Sequence, residues 1–389
     1  WNVGTNMTDM LDGYNATGKN LSWNPYAMLN PDIATQPHYS DNHYFNAYEN
    51  VPTDQRSRVF GNIMAKYQFT DWLDFTGRMS TDRYSEIQEE RIAVGSVDVA
   101  KYDRFNRDFY ENNLDLFLNA TQKFGATDNI DVSAMLGTNF RRTGVETIFA
   151  QTNGGLVVPG IYSLANSVAP PEAPAETKTT VGVNGYFGRL SVGLNNMVYV
   201  DLTGRYDVSS TLPADNNGYF YPSASLSFIF SEVLGTSDFL SFGKIRLNYA
   251  EVGSSAPALS TFNTFVINTP FDGTPLTSVS NTLNNPNLLP ENTRNIEAGI
   301  EANFFNNRVG LDVSYYKANT FNQIIPVNVS GSTGSLFKYV NAGEIQNQGL
   351  EASVRLVPIK TKDFTACIAE GISFCMLFIF SKFNFCKLT

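Results

Sequence analysis

Apolar and polar residues alternate with a period of two along most of the chain, the mark of half-covered β-strands. Around 198–206, Val198, Val200, Leu202 and Tyr206 share one face, and Tyr199, Asp201, Thr203 and Arg205 share the other. Leu114, Leu116, Leu118 and Ala120 alternate with Asn113, Asp115 and Asn119. Ile245, Leu247 and Tyr249 alternate with Lys244, Arg246 and Asn248. Ile296, Ala298, Ile300, Ala302 and Phe304 alternate with Asn295, Glu297, Glu301 and Asn303. The pattern predicts eleven strands, over 58–69, 72–84, 108–124, 129–150, 180–194, 197–208, 219–231, 241–252, 293–305, 308–321 and 348–358. These exceed the roughly 5–6 residues of an ordinary globular strand and reach the roughly 9–11 that cross a bilayer.

The connections alternate in length. Thr70-Asp71, residues 125–128, Asn195-Asn196 and Asn306-Asn307 are short polar links of types that tolerate positive φ. The links at 85–107, 151–179, 253–292 and 322–347 are long, and those at 209–218 and 232–240 are shorter. In an up-and-down sheet this places short turns at one end and long loops at the other, as in outer-membrane barrels. Aromatic pairs near strand ends, Tyr67 with Phe69 and Tyr315 with Tyr316, fit interfacial girdles. The expected fold is therefore all-β, a transmembrane antiparallel up-and-down β-barrel. No fixed repeat of a solenoid or propeller is visible.

Composition narrows the function. Charged residues are 16% of the 389, below the roughly 25% of soluble domains, while Phe and Tyr number 29 and 19. The net charge of −10 argues against binding nucleic acid or an anionic membrane surface through a basic face. No apolar run reaches the roughly 18 residues of a transmembrane helix, which leaves β-barrels open. The three cysteines, Cys367, Cys375 and Cys386, fall at the end of the chain, unlike a disulfide framework or a metal site.

Several motifs, in order, resemble the SusC/RagA group of TonB-dependent outer-membrane transporters of Bacteroidetes. They are Asn24-Pro25-Tyr26, Arg58-Val59-Phe60-Gly61-Asn62, Phe69-Thr70-Asp71-Trp72-Leu73, Phe187-Gly188-Arg189-Leu190 and Gly204-Arg205-Tyr206-Asp207. Tyr219-Phe220-Tyr221-Pro222-Ser223, Lys244-Ile245-Arg246-Leu247, Asn287-Leu288-Leu289-Pro290-Glu291 and Glu297-Ala298-Gly299 follow. Asn341-Ala342-Gly343-Glu344-Ile345-Gln346-Asn347-Gln348-Gly349-Leu350-Glu351 closes the series. The resemblance implies energised uptake of oligosaccharide or peptide fragments, a SusD-like lipoprotein as lid, and the TonB complex as the source of force.

About eleven strands are half of the roughly 22 of plugged outer-membrane transporters. The expectation is a C-terminal barrel fragment over 1–365, with the plug and TonB-contacting segment absent. Residues 366–389 lose the alternation and form a tail that a frameshift would explain. An unclosed sheet leaves backbone groups unpaired in lipid, so the fragment alone should aggregate.

No catalytic constellation is present, and no enzyme activity, cofactor or metal is expected. His38 and His43 lie five apart without further ligands. Asp201, Asp207, Asp312 and Glu301 are read as wall carboxylates paired with Arg205, Arg246 or Arg308, not as a glycosidase pair. Residues 215–218 are read as a turn, and the proline-rich 170–175 as a loop tip. Loop aromatics that could stack on cargo are Tyr102, Phe105, Tyr162, Phe262, Phe265, Phe271 and Phe337, with none assigned as a binding residue. The rival reading is a passive porin or an adhesin barrel; a third is a soluble glycan-binding β-protein.

Overall fold

A computed structural model describes residues 7–20, 40–235, 237–360 and 365–380. Asn24-Pro25-Tyr26, His38, Lys362 to Phe364 and Cys386 lie outside the described residues. Twelve strands form one sheet in chain order: β1 Thr53–Thr70, β2 Leu73–Ile92, β3 Lys101–Phe124, β4 Ile130–Gln151, β5 Ala175–Leu194, β6 Val198–Ser209, β7 Gly218–Phe228, β8 Leu240–Ser254, β9 Glu291–Phe304, β10 Val309–Phe321, β11 Glu344–Lys360 and β12 Thr365–Phe380. Each strand neighbours its successor, so the topology is up-and-down, and β1 and β12 end the order.

Eleven of the twelve match expected strands, with longer limits at the loop ends. β2 runs to Ile92 and β3 starts at Lys101, which cuts the 85–107 link to 93–100. Past the apolar stretch both faces of these strands are polar, as in Ser85-Glu86-Ile87-Gln88-Glu89-Glu90, so alternation fades while backbone pairing continues. The short links form as expected: Asn195 and Asn196 take φ of 52° and 56°, and Phe305, Asn306 and Asn307 take 54°, 55° and 64°.

Past residue 365, where no strand was expected, Thr365–Phe380 forms one. Its register sets Ile368 opposite Leu356, Ile372 opposite Ala352 and Phe374 opposite Leu350. Ile368, Ile372 and Phe374 share their face with Glu370, which stands opposite Val354, and they alternate with small residues (Cys367, Ala369, Gly371, Ser373 and Cys375) instead of polar ones. A search for apolar–polar alternation therefore passes over the strand.

The chain divides into two compact units: residues 1–61, 81–111 and 143–180, and residues 62–80, 112–142 and 181–389. Among the described residues the first holds two helices that strand periodicity does not reveal, α1 Met7–Thr17 and α2 His43–Glu49. The Asn42 side chain caps α2 by accepting from Tyr44 N at 2.9 Å, and its Nδ2 donates to Met10 O at 3.1 Å. Asp41 accepts from Asn20 Nδ2 at 2.6 Å and from Val97 N at 2.7 Å. Met10, Phe45, Ala93, Tyr102 and Leu156 are the buried apolar residues of this unit.

The second unit turns the usual burial rule inside out. One row of its sheet reads Val192, Val200, Leu226, Leu247, Ala298, Tyr315 and Leu350 across β5 to β11. Leu247 is 48% exposed and Leu350 46%, while Arg246 and Asn248 beside Leu247 are half-buried. On this face the apolar runs at 186–194, 198–206, 220–228 and 296–304 are each nine residues long. That is the length a tilted membrane strand requires, roughly 9–11 residues. Exposed Tyr186, Tyr206, Phe220 and Tyr315 lie at the loop end of the runs. At the turn end Phe239 packs against Phe304 and Phe305 at 5.3 and 5.4 Å. Such girdles sit at headgroup level.

A charge on the apolar face is costly only if lipid covers it. In the full-length receptor, Leu247→Arg should lower unfolding free energy by about 2–4 kcal/mol in bilayers, and Asn248→Arg by less than about 1. Denaturant titration of the heat-modifiable band checks this; equal losses would reject the assignment of faces. The 389-residue chain alone should remain detergent-insoluble, because among the described residues its apolar face is exposed and β1 and β12 each neighbour one strand of the sheet only. A stable heat-modifiable monomer would contradict that.

Candidate functional site

The candidate working surface is the polar face of the strands. In the second unit its carboxylates are held by cations. Asp201 accepts from Arg189 at 2.7 Å, Glu301 from Lys244 at 3.0 Å, and Asp207 from Arg205 Nε at 2.8 Å. Buried Asp207 also accepts from the Tyr221 hydroxyl. Asp115 accepts from Arg78 at 2.8 Å and from Asn139 at 2.6 Å. Of the expected cations, Arg205 and Arg246 join such pairs. Arg308 belongs to the turn after β9, where its amide donates to Phe304 O.

Arg246 makes the longest reach. From β8 its guanidinium crosses β9 and grips Asp312 of β10 with two bonds of 2.7 and 3.0 Å. Its Nε also donates to Glu297 at 3.4 Å. The crossing is possible because residue 299 is glycine: a Cβ there would stand 2.6 Å from Arg246 Nε. A two-point arginine–carboxylate pair fixes geometry as well as charge. It ties three strands together on the polar face.

The first unit carries an aromatic and cationic cluster that the sequence reading missed. Tyr84 stacks on Phe109 at 4.8 Å, with Arg56 4.8 Å and Arg107 5.7 Å from its ring centre. Arg56 donates to buried Glu86 at 2.6 Å, and Arg58 grips Asp82 at 2.7 and 2.8 Å. The signal was present as charges and aromatics at every second position of 82–86 and 105–109, masked because both strand faces are polar there. Aromatic faces beside guanidinium groups suit flat or ring-shaped polar ligands.

The predicted loop aromatics separate into two kinds. Tyr102 is buried with its hydroxyl on Glu89, and Tyr162 donates to Glu49 O at 3.2 Å under the Arg91 guanidinium. These two hold the loops. Phe105 lines a cleft of about 410 Å³ with Phe149, Gln88, Glu90 and Asp103. Phe262, Phe265 and Phe271 are 68–76% exposed, the last two in a loop hairpin of Phe265–Phe271 and Thr274–Val279, and Phe337 is exposed at the start of the loop strand Phe337–Asn341. His43 is the first residue of α2 and is exposed; no group of metal-ligating side chains occurs among the described residues. Where a turn was expected over 215–218, Ala214–Asn216 forms one turn of 3-10 helix and Gly218 opens β7.

A family described as TonB dependent receptor-like, beta-barrel, matches residues 2–378, and the chain belongs to it. It is 25% identical over 364 residues to TonB-dependent receptor P26 of Formosa agariphila, covering 85% of this chain and 36% of that protein. It is 30% identical over 199 residues to TonB-dependent receptor SusC of Bacteroides thetaiotaomicron, covering 48% and 20%. The RagAB peptide transporter structure shares the fold, with a TM-score of 0.77, 20% identity, and coverage of 90% of this chain and 39% of that one. The chain thus spans about a third or less of the curated relatives it matches. The family places it in the outer membrane, crossing by strands.

Gly299→Ala should push Arg246 off Asp312 and cost about 1–3 kcal/mol in the full-length receptor, as should Asp312→Ala. The double variant should cost little more than either single one; additive losses would show that the glycine does not act through Arg246. Alkaline pH tests the helix contacts. The hydrogen bond to Glu49 raises the Tyr14 pKa, and burial raises that of Tyr162. A raised tyrosine pKa stabilises fully below the ordinary value of about 10 and is lost as pH rises past it. Proteolysis around α1 and α2 should therefore accelerate above about pH 10. An unchanged rate up to pH 11 would contradict this role.

Proposed function

We propose, from its place in the TonB-dependent receptor family, that this chain is wall and outer-loop structure of an importer for oligosaccharide or peptide fragments. The observation that carries the reading is the paired geometry of the sheet: an exposed apolar face of membrane length and a charge-paired polar face. RagAB is named a peptide transporter, which supports a peptide cargo, and SusC is named a TonB-dependent receptor, which supports TonB-driven uptake. A SusD-like lipoprotein closes over the loops, and the TonB complex supplies the force.

In this reading the wall performs no bond chemistry. Its ion pairs are internally neutralised, so the polar face stays rigid and hydrated while a separate segment moves. Arg246–Asp312 and Arg205–Asp207–Tyr221 keep the strands in register during each cycle. The aromatic residues at the loop end, Tyr84 with Phe109 and the exposed Phe265 and Phe271, offer flat faces to sugar rings or peptide planes.

The test is uptake by cells carrying the full-length receptor, with and without a functional TonB complex. Labelled oligosaccharide or peptide mixtures should accumulate only when TonB is active, and loss of the neighbouring SusD-like lipoprotein should reduce accumulation. Uptake that persists without TonB would favour the passive porin instead.

A further inference from the structure

Positive side chains on the apolar face of the second unit follow a one-sided rule. That face carries Arg142 on β4, Arg294 on β9 and Lys317 on β10, each one or two alternate positions beyond the loop end of an apolar run. On β4 the run Ile130, Val132, Ala134, Leu136, Thr138, Phe140 leads directly to Arg142. On β10 Val309, Leu311, Val313, Tyr315 leads directly to Lys317. At the turn end of the same face the positions are apolar or uncharged, among them Leu194, Val198, Phe228, Phe304 and Leu356.

The three cations differ in what neutralises them. Arg294 donates to Glu251 at 2.9 Å. Arg142 and Lys317 form no ion pair among the described residues. Arg142 is instead pre-set by uncharged acceptors: Arg141 O at 2.7 Å, Val183 O at 3.4 Å and Asn184 Oδ1 at 2.9 Å. It lies across Gly182, where a Cβ would meet Cζ at 3.3 Å. Lys317 stands in register between Ile296 and Gln348. The Gln348 carboxamide oxygen accepts from Tyr315 at 3.3 Å and from Gln346 at 3.1 Å, so the residue paired with Lys317 on β11 is held by polar neighbours.

We infer that Arg142 and Lys317 bind phosphate groups of outer-leaflet lipid headgroups. A cation just past the apolar run, one alternate position beyond Phe140 or Tyr315, stands at headgroup depth. A guanidinium held by neutral carbonyls keeps open donors for a phosphate, which it can take with two parallel bonds. The acyl chains of the same lipid would continue down the exposed apolar rows below. The loop end is the outer end in barrels of this kind, so the partner is a phosphorylated lipid of the outer leaflet.

The test uses the full-length receptor in mild detergent, loaded with bis-phosphorylated lipid A and examined by native mass spectrometry. Arg142→Gln and Lys317→Gln should each lower lipid A retention about fivefold, as one cation near a charged surface implies. Arg142→Lys and Lys317→Arg should retain more than the glutamine variants, and heat-modifiability shows which variants are folded. Dephosphorylated lipid A should bind the wild type as weakly as phosphorylated lipid A binds the double variant. Folded glutamine variants that keep wild-type retention would overturn the inference. Displacement of lipid A by equimolar inorganic phosphate would also overturn it, assigning the site to a soluble anion.

Discussion

An apolar sheet face with nothing of its own chain to cover it is the constraint on which the rest depends. Rows such as Val200, Leu226, Leu247 and Leu350 run across many strands, with Val200 half-buried and the three leucines exposed. In water such a surface would drive aggregation. In a bilayer the same surface is solvated, and the backbone groups must be satisfied within the sheet. Long strands, up-and-down pairing and short asparagine turns follow from that requirement. Along the nine-residue runs the charges of these strands lie on the other face, where Arg189 with Asp201, Lys244 with Glu301 and Arg246 with Asp312 neutralise one another.

The polar face shows how a wall stays ordered without an apolar core. Few large side chains are fully buried, and Leu212, Ala256 and Leu288 form a small loop cluster, packed with Tyr219, Ile324 and Tyr339. Order comes instead from backbone ladders and from side chains that bridge strands. Glycine has a specific use here: Gly299 lets Arg246 pass to Asp312, and Gly185 lies where a Cβ would collide with Arg205 and Asp207. A guanidinium lying flat over a glycine binds more tightly to its neighbour strand than one lifted by a methyl group.

Much of the fold was legible in the sequence wherever one face meets lipid and the other water. Residues 296–304 and 198–206 show perfect alternation, and the strands formed where expected. Legibility fell where the two environments converge. Beyond the membrane both faces of β2 and β3 are polar, so their outer ends and the Tyr84–Phe109 cluster escaped notice. In Thr365–Phe380 the second face is small instead of polar, and the strand was passed over. Helices α1 and α2 depend on distant contacts, Asn42 to Met10 and Asp41 to Val97, that no local pattern announces. Wall carboxylates were identified correctly as paired residues, but the partner of Asp312 required the geometry across Gly299.

The face that meets lipid decides the rest. Nitroxide labels placed singly at 244, 245, 246, 247, 248 and 249 of the full-length receptor, in bilayers, read this by their collision rates with oxygen and with a water-soluble nickel chelate. Oxygen accessibility should peak at 245, 247 and 249, with the nickel chelate favouring 244, 246 and 248. An inverted alternation, or none, would contradict the membrane-facing assignment and the transporter wall built on it.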